Sequence, residues 1–337
     1  MPPSVLAVIL NWNDWESTLA AVDCVLRQNY KSLSVLVVDN GSTDGSLEHL
    51  RSIRDDRVEV LALPENRGYT GGCNEGFKRA LEVGASYVWL FNNDAVAAEE
   101  TLISLVKLAE SDPKIGLVSP TIAELSEDLR LTFCGGILSF DDELHEATSD
   151  PEEARRWALQ YPNSGIIWGT ALLVKTSAMR EIGMLDEKFF AYHEDDDYSY
   201  RSSQAGYRNL VDENSVVRHP TKNATLDSPT TKPHVLYYLA RNHTRFLRKH
   251  LGVVRALKPC WWMFHSRLRL MLKCKENPVA CDAILAGLWH GWINRGGPSS
   301  PEYRMPRLLA AAIWRYALAR PALLHSVVTV ARRNDTH

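Results

Sequence analysis

Cysteine is sparse and scattered. Six residues (Cys24, Cys73, Cys134, Cys260, Cys274 and Cys281) are spread through 337, and no Cys-x-x-Cys pair occurs. That excludes a disulfide scaffold, argues against a zinc ribbon and fits a reducing, cytoplasmic setting. Long apolar runs are missing too. No stretch reaches the about 18 uninterrupted apolar residues of an ordinary transmembrane helix. The nearest, Leu308–Ala331, carries Arg315 and Arg320. The opening MPPSVLAVILNWND has no basic segment ahead of its short apolar run, so no secretory signal is expected. Walker, Gly-x-Gly-x-x-Gly and Gly-x-Ser-x-Gly sequences are absent, which weighs against kinase, dinucleotide and serine-hydrolase chemistry.

What is present is uneven. The formal net charge of −3 is the sum of two opposed parts. Residues 1–240 hold 21 Lys+Arg against 37 Asp+Glu (−16), and residues 241–337 hold 17 against 4 (+13). The basic part also holds Trp261, Trp262, Trp289, Trp292 and Trp314, five of the ten tryptophans. Two differently built regions are expected, 1–228 and 229–337.

The first region alternates apolar runs with helical spacing. Strands are expected at 4–10, 33–38, 58–62, 87–91, 166–174 and 216–218. Helices are expected at 15–28, 46–53, 72–83 and 176–183, with another after the acidic run at 193–197, and 121–165 is irregular. This order argues for an α/β domain around a largely parallel sheet, whose ligands sit beyond the carboxyl ends of the strands. Polar clusters follow such ends at 11–14, 39–44 and 92–94. Beyond residue 229 the pattern is helical, with segments at 232–249, 258–275, 279–294, 302–319 and 321–333.

Some of these clusters suit chemistry. Asp39 ends an apolar strand before Gly-Ser-Thr-Asp, where a carboxylate either accepts from a nucleobase or ribose or simply shapes a turn. Asn92-Asn93-Asp94 ends another strand; a carboxylate there either holds a divalent cation or belongs to a plain loop. Glu194-Asp195-Asp196-Asp197 opens a helix, a favourable place for acids, yet four in a row raise one another's pKa, as a general base requires. Gly68, Gly71 and Gly72 precede a helix whose N–H groups could face an anion.

The segments ILNWND, VVDNGSTDGS, ENRGYTGGCNEG, FNNDA, GTALLV, FFAYHEDDDYSYR and VVRHP, in this order, closely resemble the GT-A-fold inverting glycosyltransferases of family 2, nearest their rhamnosyltransferase-like branch. The resemblance covers about residues 4–245. It implies a GT-A α/β catalytic domain followed by a helical region. Asn11, Asp39, Arg67, Gly71, Asn74 and Asn93 would line the nucleotide-sugar site. Asp94 and His219 would hold Mg²⁺ or Mn²⁺ on the donor diphosphate, with Asn92 where the family's metal motif has its first Asp. Asp195 would be the catalytic base. Glu194, Asp197 and Trp168 would contact the acceptor. Tyr237-Tyr238…Arg241-Asn242 resembles a helix of rhamnosyl-transferring relatives, which implies dTDP-rhamnose as donor, with Arg241 either on its phosphate or starting a basic helix face with Arg245 and Arg248.

The expected activity is therefore a hexosyl transfer to a glycan or polyprenyl-diphosphate-linked glycan, in surface polysaccharide or lipopolysaccharide assembly. A UDP- or GDP-sugar donor is the first alternative. A non-catalytic carbohydrate-binding or membrane-assembly protein is the second. The basic, Trp-rich region fits either peripheral contact with the inner face of the plasma membrane or a homo-oligomer interface. Nucleic acid is not expected as a partner, because the catalytic half is acidic and RNA-binding motifs are absent.

Overall fold

A computed structural model describes residues 2–126, 128–220, 231–300 and 303–319. In chain order the elements are β1 (Val5–Asn11), α1 (Trp15–Leu26), β2 (Leu33–Asp39), α2 (Ser46–Arg51), β3 (Val58–Ala62), α3 (Gly68–Val83), β4 (Tyr87–Phe91), β5 (Val96–Ala97) and α4 (Thr101–Glu110). Then come β6 (Ile115–Glu124), β7 (Leu131–Phe133), β8 (Gly135–Ser139), β9 (Leu144–Thr148), α5 (Pro151–Gln160), β10 (Gly165–Ile166), β11 (Ala171–Lys175), α6 (Thr176–Ile182), α7 (Glu194–Gln204) and β12 (Arg208–His219). Three helices follow: α8 (Pro233–Lys273), α9 (Pro278–Trp292) and α10 (Arg307–Ala319). These elements make two compact units. The first holds the described residues up to 190 and from 194 to 220; the second holds 191–193 and those from 231 onward. The boundary expected at 228 lies outside the described residues.

The first unit is α/β. Its main sheet runs β3-β2-β1-β4-β11-β6-β12-β5, with β7 paired to β6. β3, β2, β1 and β4 are parallel, and β11 runs antiparallel between β4 and β6. Both faces of the parallel part are covered, which is why these strands read as continuous apolar runs. Alternate residues serve opposite cores. Val5, Ala7 and Ile9 pack with Val22 and Val25 of α1, while Leu6 and Val8 pack with Phe77 and Ala80 of α3. The register sets Asn11 beside Asp39, so two polar side chains leave the sheet together at its carboxyl edge.

Residues 121–165, irregular by pattern, contain the end of β6, then β7, a small antiparallel sheet β10-β8-β9, and α5. Short strands and a polar helix lack the periodicity that identifies buried elements. β12 is also far longer than the expected 216–218; the exposed polar residues inside it concealed its first half. The glycine-rich stretch is not a loop before a helix but the first turn of α3, which begins at Gly68.

In the second unit, α8 is broken at Gly252, whose φ of 71° and ψ of 173° interrupt the helix. The helix resumes at once instead of at 258 and continues through Pro259. A proline inside a helix forfeits one backbone hydrogen bond; buried Ala256, Cys260 and Met263 hold this one in place. Gly287 and Gly291 on α9 let α8 approach closely, since a Cβ at either would lie 2.5 Å from Tyr237 O or 2.4 Å from Arg241 O. Leu236, Leu268, Met271, Ile284 and Leu285 form the core between them. The segment expected at 321–333 lies outside the described residues.

Candidate active site

At the carboxyl ends of β1 and β2 a buried polar network forms. Asn11 Nδ2 donates to Asp39 Oδ1 at 2.8 Å and to Ser42 Oγ at 3.0 Å. Thr18 Oγ1 donates to Asn11 Oδ1 at 2.7 Å, and Asn93 Nδ2 donates to Thr18 Oγ1 at 3.2 Å. Ser42 N reaches Asp39 Oδ2 at 3.3 Å. The structure thus brings Asn11, Asp39 and Asn93 together. Thr18 and Ser42 complete the cluster; no motif marks Thr18, which lies inside a helix, whereas Ser42 stands in the Gly-Ser-Thr-Asp turn.

Beyond β4, Asp94 Oδ1 lies 3.0 Å from His219 Nε2, and Asn92 Nδ2 lies 3.2 Å from the same nitrogen. One ring nitrogen cannot both donate to Asp94 and accept from Asn92. With the Asn92 amide turned over, a carboxylate oxygen and an amide oxygen both lie beside the imidazole nitrogen, at 3.0 Å and 3.2 Å. Neighbouring ligands of an octahedral cation bound at about 2.1 Å lie about 3 Å apart, so the donor set and spacing suit Mg²⁺ or Mn²⁺. Among the described residues no group of three His, Cys, Asp or Glu has this property, because the third donor here is an amide.

The expected residues of α3 are held by protein. Arg67 pairs with Glu75 at 2.6 Å and Glu187 at 3.0 Å. Asn74 is buried; it donates to Leu185 O and accepts from Leu185 N, both at 3.0 Å, which fastens α3 to the segment after α6. Gly71 lies against the Arg67 side chain. Gly68 has φ of +75°, and a Cβ there would be 2.4 Å from Phe190 O, so only glycine suits this turn.

The acidic run forms the first turn of α7 and divides by environment. Asp195 Oδ2 accepts from Gly169 N at 3.3 Å, and Oδ1 accepts from Asp196 N at 3.0 Å. Loss of solvent, then the Asp196 charge, push the Asp195 carboxyl up to about 7. Desolvation and the neighbouring carboxylates also hold Glu194 well above the usual range, and its Oε2 is buried without a hydrogen-bond partner. Asp197 corrects an expectation. It is fully buried and pairs with Arg201 at 2.9 Å, while Arg201 also donates to Ile182 O and Met184 O at 2.8 Å. This carboxylate joins α7 to the end of α6 instead of facing an acceptor.

Two further positions are more enclosed than expected. Trp168 stacks on Phe133, with centroids 4.4 Å apart and planes at 15°, so one indole face is already covered. Arg241, in the helical unit, is fully buried. Its Nε donates to Asn242 Oδ1 at 2.8 Å, and its guanidinium lies 5.3 Å and 4.9 Å from the ring centres of Tyr237 and Tyr238. The protein therefore encloses Arg241, and a direct phosphate contact is not what its surroundings provide. Beside it, Asn242 Nδ2 donates to Ala191 O at 2.6 Å and Tyr192 O at 2.8 Å. It steadies a segment in which Phe190, Tyr192 and His193 all have positive φ.

A sheet with a parallel half, polar clusters at its carboxyl ends and a helix opened by carboxylates define the GT-A fold. Residues 6–183, over half the chain, match the model of glycosyl transferase family 2, and the chain belongs to that family. It is a glycosyltransferase. An N-acetylglucosaminyl-diphospho-decaprenol L-rhamnosyltransferase of Mycobacterium tuberculosis is 24% identical over 71% of this chain and 82% of its own. Galactofuranosyltransferase GlfT1 of Mycolicibacterium smegmatis is 29% identical over 38% of this chain and 42% of its own. Among solved structures, mannosyltransferase PcManGT from Pyrobaculum calidifontis, in complex with GDP-Man and Mn²⁺, superposes with a TM-score of 0.55 and 19% identity, over 96% of this chain and 81% of that one.

Proposed function

We propose that this glycosyltransferase moves rhamnose from dTDP-rhamnose to a hydroxyl of a polyprenyl-diphosphate-linked glycan, inverting the configuration at C1, with Asp195 as base. The observation that carries the reading is the Asp195 carboxyl itself. It lies in the first turn of α7 and is held by Gly169 N, and burial with the Asp196 charge pushes its carboxyl up to about 7, which suits a base near neutral pH. Asp195 takes the acceptor hydroxyl proton as that oxygen bonds to C1, and the bond from C1 to the diphosphate oxygen breaks. Asp39 and Asn11 hold the nucleoside end of the donor. Glu194, kept protonated, is a hydrogen-bond donor for an acceptor oxygen.

Asp94, His219 and the amide oxygen of Asn92 would hold a divalent cation. When bound, that cation supplies Lewis-acid stabilisation of the departing nucleoside diphosphate. An amide in place of a carboxylate leaves the site one negative charge weaker, so metal affinity should be modest. The rhamnose assignment is supported by the rhamnosyltransferase relative and by the Tyr237-Tyr238…Arg241-Asn242 helix. The galactofuranosyltransferase relative favours a second reading, the same chemistry with another sugar. We further propose that the protein works at the inner face of the plasma membrane, where a lipid-linked acceptor would lie.

Thermal shift and nucleoside diphosphate release, with dTDP-rhamnose, UDP-glucose, UDP-galactose and GDP-mannose and with or without Mn²⁺, test the donor. The expected result is a Mn²⁺-dependent shift and slow release with dTDP-rhamnose. Preference for a UDP- or GDP-sugar would overturn the rhamnose assignment and leave the mechanism standing.

A further inference from the structure

The small sheet brings a histidine to the acidic turn. His145 lies in β9, opposite Leu138 of β8, and its Nε2 is 3.4 Å from Asp196 Oδ2. Both side chains are largely covered, at 26% and 14% exposure, so solvent screens the pair only in part. Asp196 in turn adjoins Asp195, and its backbone N–H is already bound to Asp195 Oδ1. Burial alone would lower the His145 pKa, but the charge and hydrogen bond of Asp196, then the charge of Asp195, outweigh it and raise the pKa. The carboxylates beside His145 thus favour its imidazolium form. No sequence motif marks this residue; it lies in the stretch that reads as irregular.

We propose that His145 is a positioning residue for sugar transfer. Its imidazolium, paired with Asp196, offsets that carboxylate's field on Asp195 and lets Asp195 stay ionised at neutral pH. The proposal rests on Asp195 being the base. The titratable groups near Asp195 include His193, Glu194 and Asp196 along the chain, His145 on β9, and Tyr69 on α3 with Cys73 hydrogen-bonded to it. Tyr69 donates to Gly169 O at 3.1 Å, and burial raises its pKa, so it stays neutral. Asp197 is taken up by Arg201. Asp196 is the adjacent charge that opposes ionisation of Asp195, and His145 places a cation beside it. Removing His145 takes that positive charge away from two adjacent carboxylates, which raises the pKa of the base.

The test is the pH profile of nucleoside diphosphate release, with water as acceptor, from whichever of the four donors turns over. His145→Gln should move the acid limb up by about one pH unit, the size of a single close charge. His145→Lys should return it toward wild type. Asp196→Asn should move the limb down, and adding His145→Gln to that variant should produce a clearly smaller shift than His145→Gln alone. A folded His145→Gln enzyme with an unmoved limb would overturn the proposal. So would an equal shift in the Asp196→Asn background, because the effect would then not pass through Asp196. If melting shows that His145→Gln does not fold, the Asp196→Asn arm decides, and an unmoved limb there overturns the proposal. Failure of the underlying reading looks different: Asp195→Asn would then retain transfer, whatever the His145 variants do.

Discussion

At the scale of single side chains, neighbouring carboxylates on one helical turn have opposite environments. Asp197 meets a guanidinium inside the protein, whereas Asp195 meets a backbone N–H and another carboxylate. The first faces a fixed positive charge; burial and the Asp196 charge push the second up to about 7. Initial-rate measurements should therefore show transfer rising as pH increases through about 7. Asp195→Asn should lower the transfer rate by about 10²–10⁴-fold, the usual worth of a positioned base, while the donor-induced thermal shift remains. Stability has its own sign. Folded Asp195 holds its proton to higher pH than an unfolded aspartate, so this group's contribution to folding falls as pH rises from about 4 to 7. Melting curves of Asp195→Asn should accordingly gain on wild type across that range and keep the advantage at pH 8. A variant less stable than wild type at pH 8 would contradict this account.

At the scale of elements, α3 and α8 shape the segment that leads into α7. Gly68 opens α3 with a left-handed backbone directly beneath Phe190 O. Gly68→Ala adds strain at positive φ and a collision with a carbonyl, so it should cost about 1–3 kcal/mol in thermal unfolding. On α8, the Asn242 amide is a common donor to Ala191 O and Tyr192 O, where two successive residues have positive φ. Asn242→Ala leaves those carbonyls without this donor and should destabilise by about 1–3 kcal/mol. Turnover should fall more steeply than melting temperature predicts, because the backbone entering α7 loses its hold. Equal losses in a distant surface control would contradict this. The parallel strands and α3 from residue 72 onward were legible in the sequence, because buried parallel strands leave continuous apolar runs and a helix repeats its apolar residues every three or four. The small sheet was not: its strands are two to five residues long with mixed polarity, and they are held by pairing rather than by pattern.

At the scale of the molecule, charge is divided between an acidic catalytic region and a basic helical one. α10 rests on the helical core through Ile313, Trp314 and Ala317 and turns Leu308 (89% exposed) and Leu318 (63%) outward beside Arg307 and Arg315. Leu308 and Arg315 are seven residues apart, nearly two full turns, so they share one side of the helix. Trp261 on α8, half-exposed, has its ring centre 6.3 Å from that of Tyr316 on α10. Exposed leucine and tryptophan among arginines, with no carboxylate in α10, suit an anionic bilayer surface. Sedimentation with phosphatidylglycerol-containing vesicles should show binding that weakens with salt and is lost on Leu308→Glu/Leu318→Glu. Binding to neutral vesicles alone, or a variant that turns a dimer into a monomer, would instead point to apolar adsorption or a second copy of the chain.

The sequence by itself determined the α/β class, the family and the strand-end positions of Asn11, Asp39 and Asp94, because apolar periodicity and local turn residues are properties of neighbours along the chain. Tertiary structure decided what those residues meet. It gave Asp197 to Arg201, Arg67 to Glu75 and Glu187, and Arg241 to an aromatic interior, and it brought Thr18 to Asn11 and His145 to Asp196. Burial and charge pairing depend on residues tens or hundreds of positions apart, and only folding sets those distances.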